Sequence, residues 1–261
     1  MTTTVPEAWR RWIPTAITVA LIVAMLAYGP IHQPADYHDF ADRRAALGVA
    51  NAADVVSNIG FALAGLWGLA AWSAWMRLPD RPRSSRGYAV FFVALVLTGL
   101  GSAWYHLLPD NGRLVWDRIP IALACAGLLA AVHADTHSPG QHAAIPVALV
   151  AAAFASVWWW SHTGVDGPGD LRPYLLLQVL PLLLIPVWQA LYGARREERL
   201  AFGIAIALYV GAKAAELGDH AIFDATGFLS GHTLKHLLAT AAGAVVAADY
   251  RRRAAEAMRS K

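Results

Sequence analysis

The 261-residue sequence is poor in charged residues, which make up only 15% of it, and it contains a single cysteine, Cys125. One thiol cannot form an intrachain disulfide, so a disulfide-stabilised scaffold is excluded. A soluble domain usually carries about 25% charged residues. The 57% hydrophobic content and the mean hydropathy of +0.42 also lie outside that class. The composition therefore indicates a chain that is mostly embedded in lipid.

Continuous apolar runs divide the chain into predicted transmembrane helices. A helix needs about 20 mostly apolar residues to cross the hydrocarbon core. Eight such runs are present, at residues 12–29, 53–75, 88–107, 117–134, 143–160, 173–192, 200–217 and 231–250. They do not alternate apolar and polar residues, as the strands of a membrane barrel do. We expect an all-α, polytopic membrane helical bundle that forms a single transmembrane domain over residues 1–261.

Arginines are concentrated in alternate connections between these spans. They precede the first span and follow the second, sixth and eighth: Arg10, Arg11, Arg77, Arg81, Arg83, Arg86, Arg195, Arg196, Arg199, Arg251, Arg252 and Arg253. By the positive-inside rule, both termini are predicted to be cytoplasmic, and the acidic connections to lie outside. The Ala- and Arg-rich composition favours a bacterial inner membrane. Because topology explains the charge pattern, we expect no nucleic-acid partner.

Three features of this topology are less regular. An outer loop carries Arg43 and Arg44, and the inner connection that holds Asp135 has no Lys or Arg. The run at residues 12–29 has the basic flank of a signal peptide, but it is long and lacks a small-x-small cleavage site. We expect residues 1–29 to be retained as an additional N-terminal span.

Ionisable side chains within the spans are candidates for function, because burying them in lipid is costly. The eighth span begins Gly-His-Thr-Leu-Lys-His, which places His232 and His236 one turn apart on the same helical face. Ser102 and His106 have the same spacing at the end of the third span, and Asp117 opens the fourth. Each feature alone has an ordinary explanation: interfacial histidines, a small residue at a helix contact, and an acidic helix cap.

The predicted topology brings these residues to one face of the membrane. The third span runs outward, whereas the fourth and eighth run inward. The side chains of His106, Asp117, His232 and His236 are therefore predicted to lie at a similar depth near the outer face. Three neutral imidazoles with an open fourth position are the ligand set of a catalytic zinc ion. Zinc is the expected metal, while nickel, copper and iron are excluded by no feature of the sequence.

The joint spacing of these residues resembles the alkaline ceramidase family, within a superfamily of membrane hydrolases that includes the adiponectin-receptor-like proteins. The resemblance covers residues 36–250. It rests on Gly101-Ser102-x-x-x-His106, on Asp117 eleven positions later, and on Gly231-His232-x-x-x-His236. It implies seven shared spans, to which residues 1–29 add one, a zinc ion held by the three histidines, and catalytic roles for Asp117 and Ser102.

The resemblance also implies a calcium site upstream, where the family uses a Trp with acidic and amide residues. This sequence offers a different, oxygen-rich set there: Asp36, Tyr37, Asp39, Asp42 and Asn51. A hard cation such as Ca²⁺ accepts oxygen ligands of this kind. A solvated acidic loop at the membrane interface explains the same residues, so both interpretations stay open.

The implied function is zinc-dependent hydrolysis of the amide bond of ceramide or another N-acyl lipid, with release of a fatty acid. Asp117 would transfer the proton and Ser102 would donate a hydrogen bond to the oxyanion. The partner is then a membrane lipid substrate; no oligomeric state is predicted. Alternatives are a non-enzymatic, metal-containing receptor or lipid sensor of the same superfamily, and a haem-binding electron carrier. A transporter is disfavoured, because the polar residues lie at one face.

The remaining polar residues have simpler interpretations. His133 and His137, with His142 nearby, are expected to be exposed at the inner end of the fourth span. Lys213 and Glu216, with Asp219 and His220 beyond them, are expected to form an intrahelical ion pair. A role beside the metal is the alternative, because this end of the seventh span also faces outward. Cys125 is expected to be a small buried side chain within the fourth span.

Overall fold

The Ala- and Leu-rich runs form helices, which satisfy their own backbone hydrogen bonds in lipid. The computed structural model describes residues 6–137 and 144–260, and these ranges contain ten helices and no strand. The helices are α1 (Glu7–Tyr28), α2 (Ala52–Ser57), α3 (Ile59–Met76), α4 (Ser85–Leu107), α5 (Asn111–Thr136), α6 (Ile145–Thr163), α7 (Arg172–Leu191), α8 (Arg196–Leu217), α9 (Asp219–Thr226) and α10 (Gly231–Arg259).

The prediction of an all-α, polytopic membrane bundle is confirmed, and the chain is an integral membrane protein. Among the described residues, six helices are long and apolar enough to cross a bilayer when α2 and α3 are counted together as Ala52–Met76. The apolar part of α1, Trp12–Tyr28, is shorter, and α10 carries several polar residues. That α1 and α10 also cross the membrane, which would give the predicted total of eight spans, stays a prediction. Ala143, the first residue of the predicted fifth span, lies outside the described residues.

The two ends of the bundle have different compositions. At one end, the Asp170 carboxylate accepts a hydrogen bond from the Ile31 backbone N–H, and that of Asp219 accepts one from the Ala41 N–H at 2.9 Å. These contacts place the connections after α1, α6 and α8 together. At the other end, an ion pair of 2.9 Å joins Arg253 of α10 to Asp135 of α5. The connections are therefore sorted between the two ends as predicted, while the end that faces the cytoplasm stays a prediction.

The irregular charges are paired within the structure. Asp135, which lacks a basic residue in its own connection, pairs with Arg253. Arg43 pairs with Asp39, and Arg44 pairs with Asp42 at 2.7 Å. Hydrogen bonds from Arg44 hold the pKa of Asp42 below its usual range. Local ion pairs thus neutralise the two arginines that the positive-inside rule leaves unexplained.

Helix α10 lies at the centre of the arrangement that positions the polar residues. It packs mainly against α8 and α3, while α4 packs against both α3 and α5. Helix α1 lies at the edge of the bundle, against α7. The end of α4 and the starts of α5 and α10 therefore lie close to one another, and the loop after α1 reaches them through a hydrogen bond from Gln33 to Asn111.

Two glycines in the recognised motif permit this close approach. A Cβ atom on Gly231 would lie 2.1 Å from the backbone oxygen of Ala215 in α8. A Cβ atom on Gly101 would lie 2.2 Å from the backbone oxygen of Trp116 in α5. Neither contact leaves room for a side chain, so each glycine sets how closely its helix packs beside a histidine of the motif.

We expect Gly231→Ala to destabilise the protein by about 1–3 kcal/mol, because its new methyl group must push α10 away from α8. Gly203→Ala on α8 is the matched control, since a Cβ atom there meets no atom within 4 Å. Thermal unfolding in detergent measures both variants. Equal melting temperatures for the two variants would show that the close contact at Gly231 does not constrain the helices.

Asp170 joins three parts of the chain at the end of the bundle that contains Asp170 and Asp219. We call this the acidic end, and the end that contains Arg253 the basic end. Its carboxylate accepts hydrogen bonds from the Trp159 indole at 3.0 Å and from the Arg172 guanidinium at 2.8 Å. It also accepts one from the Ile31 backbone N–H at 3.3 Å. Burial raises the pKa of Asp170, but the hydrogen bonds from Arg172, Trp159 and Ile31 outweigh it and lower the pKa to about 2. The charged form therefore holds the first loop against α6 and α7.

Asp170→Asn should lower the free energy of unfolding by about 2 kcal/mol at neutral pH, since an unfolded Asp titrates near 3.9. Because the folded pKa is depressed, the difference from wild type should persist above pH of about 4 and vanish as pH falls through about 2. Denaturation at several pH values measures this, with Asp166→Asn, exposed in the same connection, as the control. A difference that does not vary with pH would contradict the assignment.

Candidate metal centre

Three buried histidines meet where α4 ends and α10 begins. His106 comes from the last turn of α4, and His232 and His236 lie one turn apart at the start of α10. Their candidate ligand atoms all lie within 4.8 Å of one another, and the Nε2 atoms of His106 and His232 are 3.2 Å apart. Each residue is at most 5% exposed. Within the described ranges, no other group of three or more His, Cys, Asp or Glu residues has such proximity.

The donor set fits a zinc ion. Ligands about 2.0–2.1 Å from tetrahedral zinc lie about 3.3 Å from one another, close to the 3.2 Å between the His106 and His232 nitrogens. Imidazole nitrogens suit zinc, copper, nickel and iron, and not calcium or magnesium. The site therefore has the chemistry of a transition-metal centre.

The spacing of the rings argues against haem. The centroids of the three imidazole rings lie 4.7 to 5.0 Å from one another. Paired haem ligands approach the iron from opposite faces of a porphyrin. Rings in such close mutual contact leave no room for a macrocycle between them.

His236 is oriented by the break between α2 and α3. The Ser57 hydroxyl lies 2.8 Å from Nδ1 of His236 and donates its hydrogen to the Asp54 backbone oxygen at 3.0 Å. The Ser57 oxygen therefore accepts a hydrogen bond from the Nδ1–H of His236. This tautomer leaves the Nε2 lone pair of His236 available to a metal, as outer hydrogen bonds to metal-binding histidines commonly do.

The start of α10 is held by acidic residues from two other parts of the chain. The Asp219 carboxylate accepts a hydrogen bond from the His232 backbone N–H at 2.7 Å. Asp54 accepts one from the Thr233 hydroxyl at 2.6 Å, and the Ser230 hydroxyl caps the helix by accepting from the Thr233 N–H. Negative charge is favourable at a helix N-terminus. These contacts fix the backbone from which both histidines of α10 project.

The long first loop covers the histidines. Phe40 is 6% exposed, and its ring lies 4.4 Å from the ring of His232 and 4.8 Å from that of His106. The neighbouring Ala41 N–H is hydrogen-bonded to Asp219, which also holds the backbone of His232. The loop thus separates the cluster from water at this end of the bundle.

Ser102 and Asp117 lie beside the histidines, in a cavity of about 140 Å³ that His236 also lines. Asp117 is 7% exposed and does not cap α5, whose first turn is capped by Asp110. The cap interpretation of Asp117 is therefore wrong, because α5 begins at Asn111 and not at residue 117 as predicted.

A second, apolar cavity of about 150 Å³ continues from the first toward the middle of the bundle. The two cavities share six lining residues: Phe61, Thr98, Ile121, Gln178, Tyr209 and Ala239. The Tyr209 hydroxyl donates to the Gln178 side-chain oxygen at 2.7 Å where the cavities meet. Cys125, half-buried with a free thiol, lines the apolar part. Together the cavities form an amphiphilic space whose polar end contains Asp117.

Lys213 and Glu216 form the predicted ion pair, at 2.6 Å. The structure adds a third member, because Glu216 also pairs with Lys235 of α10 at 2.6 Å. The Lys235 ammonium lies 3.4 Å from Nε2 of His232. The lysine that separates the two histidines in sequence is therefore held beside the cluster by a carboxylate of α8.

The residues of the expected calcium site are not gathered into one place. Asp39 and Asp42 are paired with Arg43 and Arg44. The Asn51 amide donates to the His106 backbone oxygen at 2.8 Å, and Asp36 is exposed. The fifth member, Tyr37, faces the guanidinium of Arg118. The geometry gives no support to a calcium ion held by these five residues.

The histidines at the opposite end are not all exposed, contrary to expectation. His133 is 9% exposed, stacks on His137 with 3.8 Å between ring centroids, and packs edge-on against Trp188. Helix α5 continues to Thr136, which places His133 inside the bundle. His142 lies outside the described residues.

Several residues of the site were not assigned a role from sequence. Asp54, Ser57 and Asp219 support the histidines through contacts between distant parts of the chain, which no local pattern predicts. Arg118 lines the cavity next to Asp117. The sequence does indicate a role for Arg118, because a charged residue within a predicted membrane span is a candidate for function.

Ser57→Ala removes the oxygen that accepts from Nδ1 of His236, and we expect a 10- to 100-fold loss of zinc affinity. Competition with a coloured zinc chelator measures the affinity, and His236→Ala should abolish it. Ser156→Ala is the control, because this buried hydroxyl bonds only to the Ala153 backbone oxygen of its own helix. Unchanged zinc affinity in Ser57→Ala would show that the hydroxyl does not orient a ligand.

The resemblance to alkaline ceramidases rests on these residues alone. Its seven motif residues converge in the structure, yet convergence does not identify a family. No family model, no curated protein and no solved structure matches this chain.

Proposed function

We propose that this protein is a zinc-dependent integral membrane hydrolase that cleaves the amide bond of an N-acyl lipid and releases a fatty acid. One observation carries the proposal. A cluster of three buried imidazoles has one member, His236, in the lining of a polar cavity that also contains the buried carboxylate of Asp117, and this cavity shares lining residues with an apolar one. Ceramide is the substrate that the resemblance implies, whereas the cavities support only an acyl chain with a small polar head group.

Zinc held by His106, His232 and His236 would supply Lewis acidity, which polarises an amide carbonyl and lowers the pKa of water to about 7. The three residues bind through neutral nitrogens, and burial beneath Phe40 keeps bulk water from competing for the site.

Asp117 is the proton-transfer residue in this proposal. It is 7% exposed and lines the cavity together with His236, which places its carboxylate where it can act as a base. As water attacks the carbonyl carbon, Asp117 accepts the proton, and as the C–N bond breaks it delivers that proton to the leaving nitrogen. Ser102 lines the same cavity as Asp117. We assign its hydroxyl the role expected from the sequence, which is to donate a hydrogen bond to the oxyanion.

The shape of the combined cavity indicates how a lipid would bind. The acyl chain would occupy the apolar part, whose lining includes Leu128, Ile185 and Phe202, and the amide would lie near Asp117. Helix α8 packs on α10 and touches α7 over a much smaller area. A lipid could therefore enter sideways between α7 and α8, while water enters from the acidic end. By the positive-inside rule, that end is the outer face of a bacterial inner membrane.

The test is release of fatty acid from a panel of N-acyl lipids that includes ceramide, measured by mass spectrometry with and without a zinc chelator. Asp117→Asn should retain zinc and lose turnover by about 10²- to 10⁴-fold, and His236→Ala should lose both. Asp224→Asn, exposed on α9, should behave as wild type.

Two results would contradict the proposal. Stoichiometric zinc without hydrolysis of any lipid in the panel would favour the alternative, a receptor or lipid sensor that uses the same ligands. Hydrolysis that persists after zinc is removed would refute the role of the metal.

A further inference from the structure

Arg118 is a buried cation without a carboxylate partner. It follows Asp117 on α5, within a membrane-spanning helix, and is 2% exposed. Its Nε and Nη1 atoms are buried and make no hydrogen bond, and it forms no ion pair among the described residues. A buried charge of this kind costs several kcal/mol unless something compensates for it.

Aromatic rings surround the guanidinium. Its central carbon lies 3.9 Å from the ring centroid of Trp160, 4.9 Å from that of Tyr37 and 5.3 Å from that of Tyr174. Cation–π contacts of this kind stabilise the charge through the faces of the rings. They use none of the N–H donors, which lie in the plane of the guanidinium. The residue is thus held in place with donors unused.

These donors belong to a side chain that lines the polar cavity together with Ser102, Asp117 and His236. A planar guanidinium with two adjacent N–H groups matches a carboxylate or phosphate in a bidentate arrangement. The arginine is therefore suited to bind an anionic group on the same molecule that presents its amide to Asp117.

The lining of the cavity carries one more positive than negative side chain, and the unpaired positive charge lies at Arg118. Glu216 is shared by Lys213 and Lys235, with both ion pairs at 2.6 Å. Counting Asp117 as charged, the lining has three cationic and two carboxylate side chains. A bound anion would balance the charges of these side chains. A volume of about 140 Å³ accommodates a head group of roughly ten heavy atoms.

We propose that Arg118 binds a carboxylate on the head group of the substrate, so that the substrate class is N-acyl amino acids and not neutral ceramides. The catalytic consequence rests on the proposed hydrolase function. The binding consequence does not, since it requires only the cavity and the guanidinium.

The probes are N-oleoylglycine and N-oleoylglycinamide, which share the acyl chain and the scissile amide and differ by one negative charge. Binding is measured in the Asp117→Asn background, where turnover is prevented. We expect the acid to bind at least 10-fold more tightly than the carboxamide. Arg118→Gln should reduce this ratio to within about 3-fold, mainly by weakening the acid, and Arg118→Lys should give an intermediate ratio.

The variants also separate binding from a packing role. If Arg118 only packs against Trp160, Arg118→Gln should lower the melting temperature without ligand and weaken both probes equally, which would overturn the proposal. Arg118→Lys keeps the charge and stem, and so provides the comparison if Arg118→Gln does not fold. Equal affinity of the Asp117→Asn protein, with Arg118 unchanged, for the two probes would overturn the proposal as well.

Hydrolysis of the same pair by the protein with Asp117 intact distinguishes this proposal from the proposed function. A ratio of kcat/KM that favours the acid and falls in Arg118→Gln supports both. If the acid binds preferentially in a way that depends on Arg118 but neither probe is hydrolysed, the result supports the anion site and argues against amide hydrolysis. Equal hydrolysis of both probes, unaffected by Arg118→Gln, supports the hydrolase and rejects the carboxylate site.

Discussion

The hydrocarbon core of a bilayer offers no hydrogen-bond partner, so a polar side chain inside the bundle depends on another part of the protein. The start of α10 shows how strongly this constraint organises the structure. Asp219 holds the backbone of His232, Asp54 holds Thr233, and Ser57 holds the ring of His236. These contacts connect α2, α9 and α10 at the point where the histidines meet. The packing of the helices and the geometry of the metal centre are therefore set together.

The two ends of the bundle compensate a buried arginine in different ways. At the basic end, Arg253 has two carboxylate partners, Asp135 and Asp249. At the acidic end, Arg118 has aromatic neighbours but no carboxylate partner among the described residues. A buried cation without an anionic partner is costly. This difference is the reason for assigning an anionic ligand to Arg118 and none to Arg253.

Much of the fold follows from the sequence, because a membrane helix is specified by local composition. The apolar runs predict the long helices to within a few residues at most ends, and the arginines predict which connections lie together. The spacing of His232 and His236 predicts a shared helical face, and the direction of the third span adds His106. The largest differences are the end of α10, which continues to Arg259, and the start of α5, where Asp110 caps the helix about two turns before Asp117.

The supporting contacts could not be predicted, since they join residues that are far apart in sequence. Ser57 and His236 are 179 positions apart, and their contact depends on a helix break at Asn58 that hydropathy does not show. The two interpretations of the acidic loop could not be separated from the sequence for a related reason. Carboxylates that look like calcium ligands in sequence are paired with Arg43 and Arg44 two to four residues away, and those pairs form only when the loop folds.

The connection between the covering loop and α10 has a consequence for how this site can vary. The loop is fastened to Asp219 through the backbone N–H of Ala41, and the Asp219 carboxylate also holds the backbone of His232. Any amino acid except proline supplies that donor. The amino acid at position 41 can therefore differ among related chains while this hydrogen bond is preserved. A comparison of their sequences would show the contact only as an acidic residue at the position of Asp219.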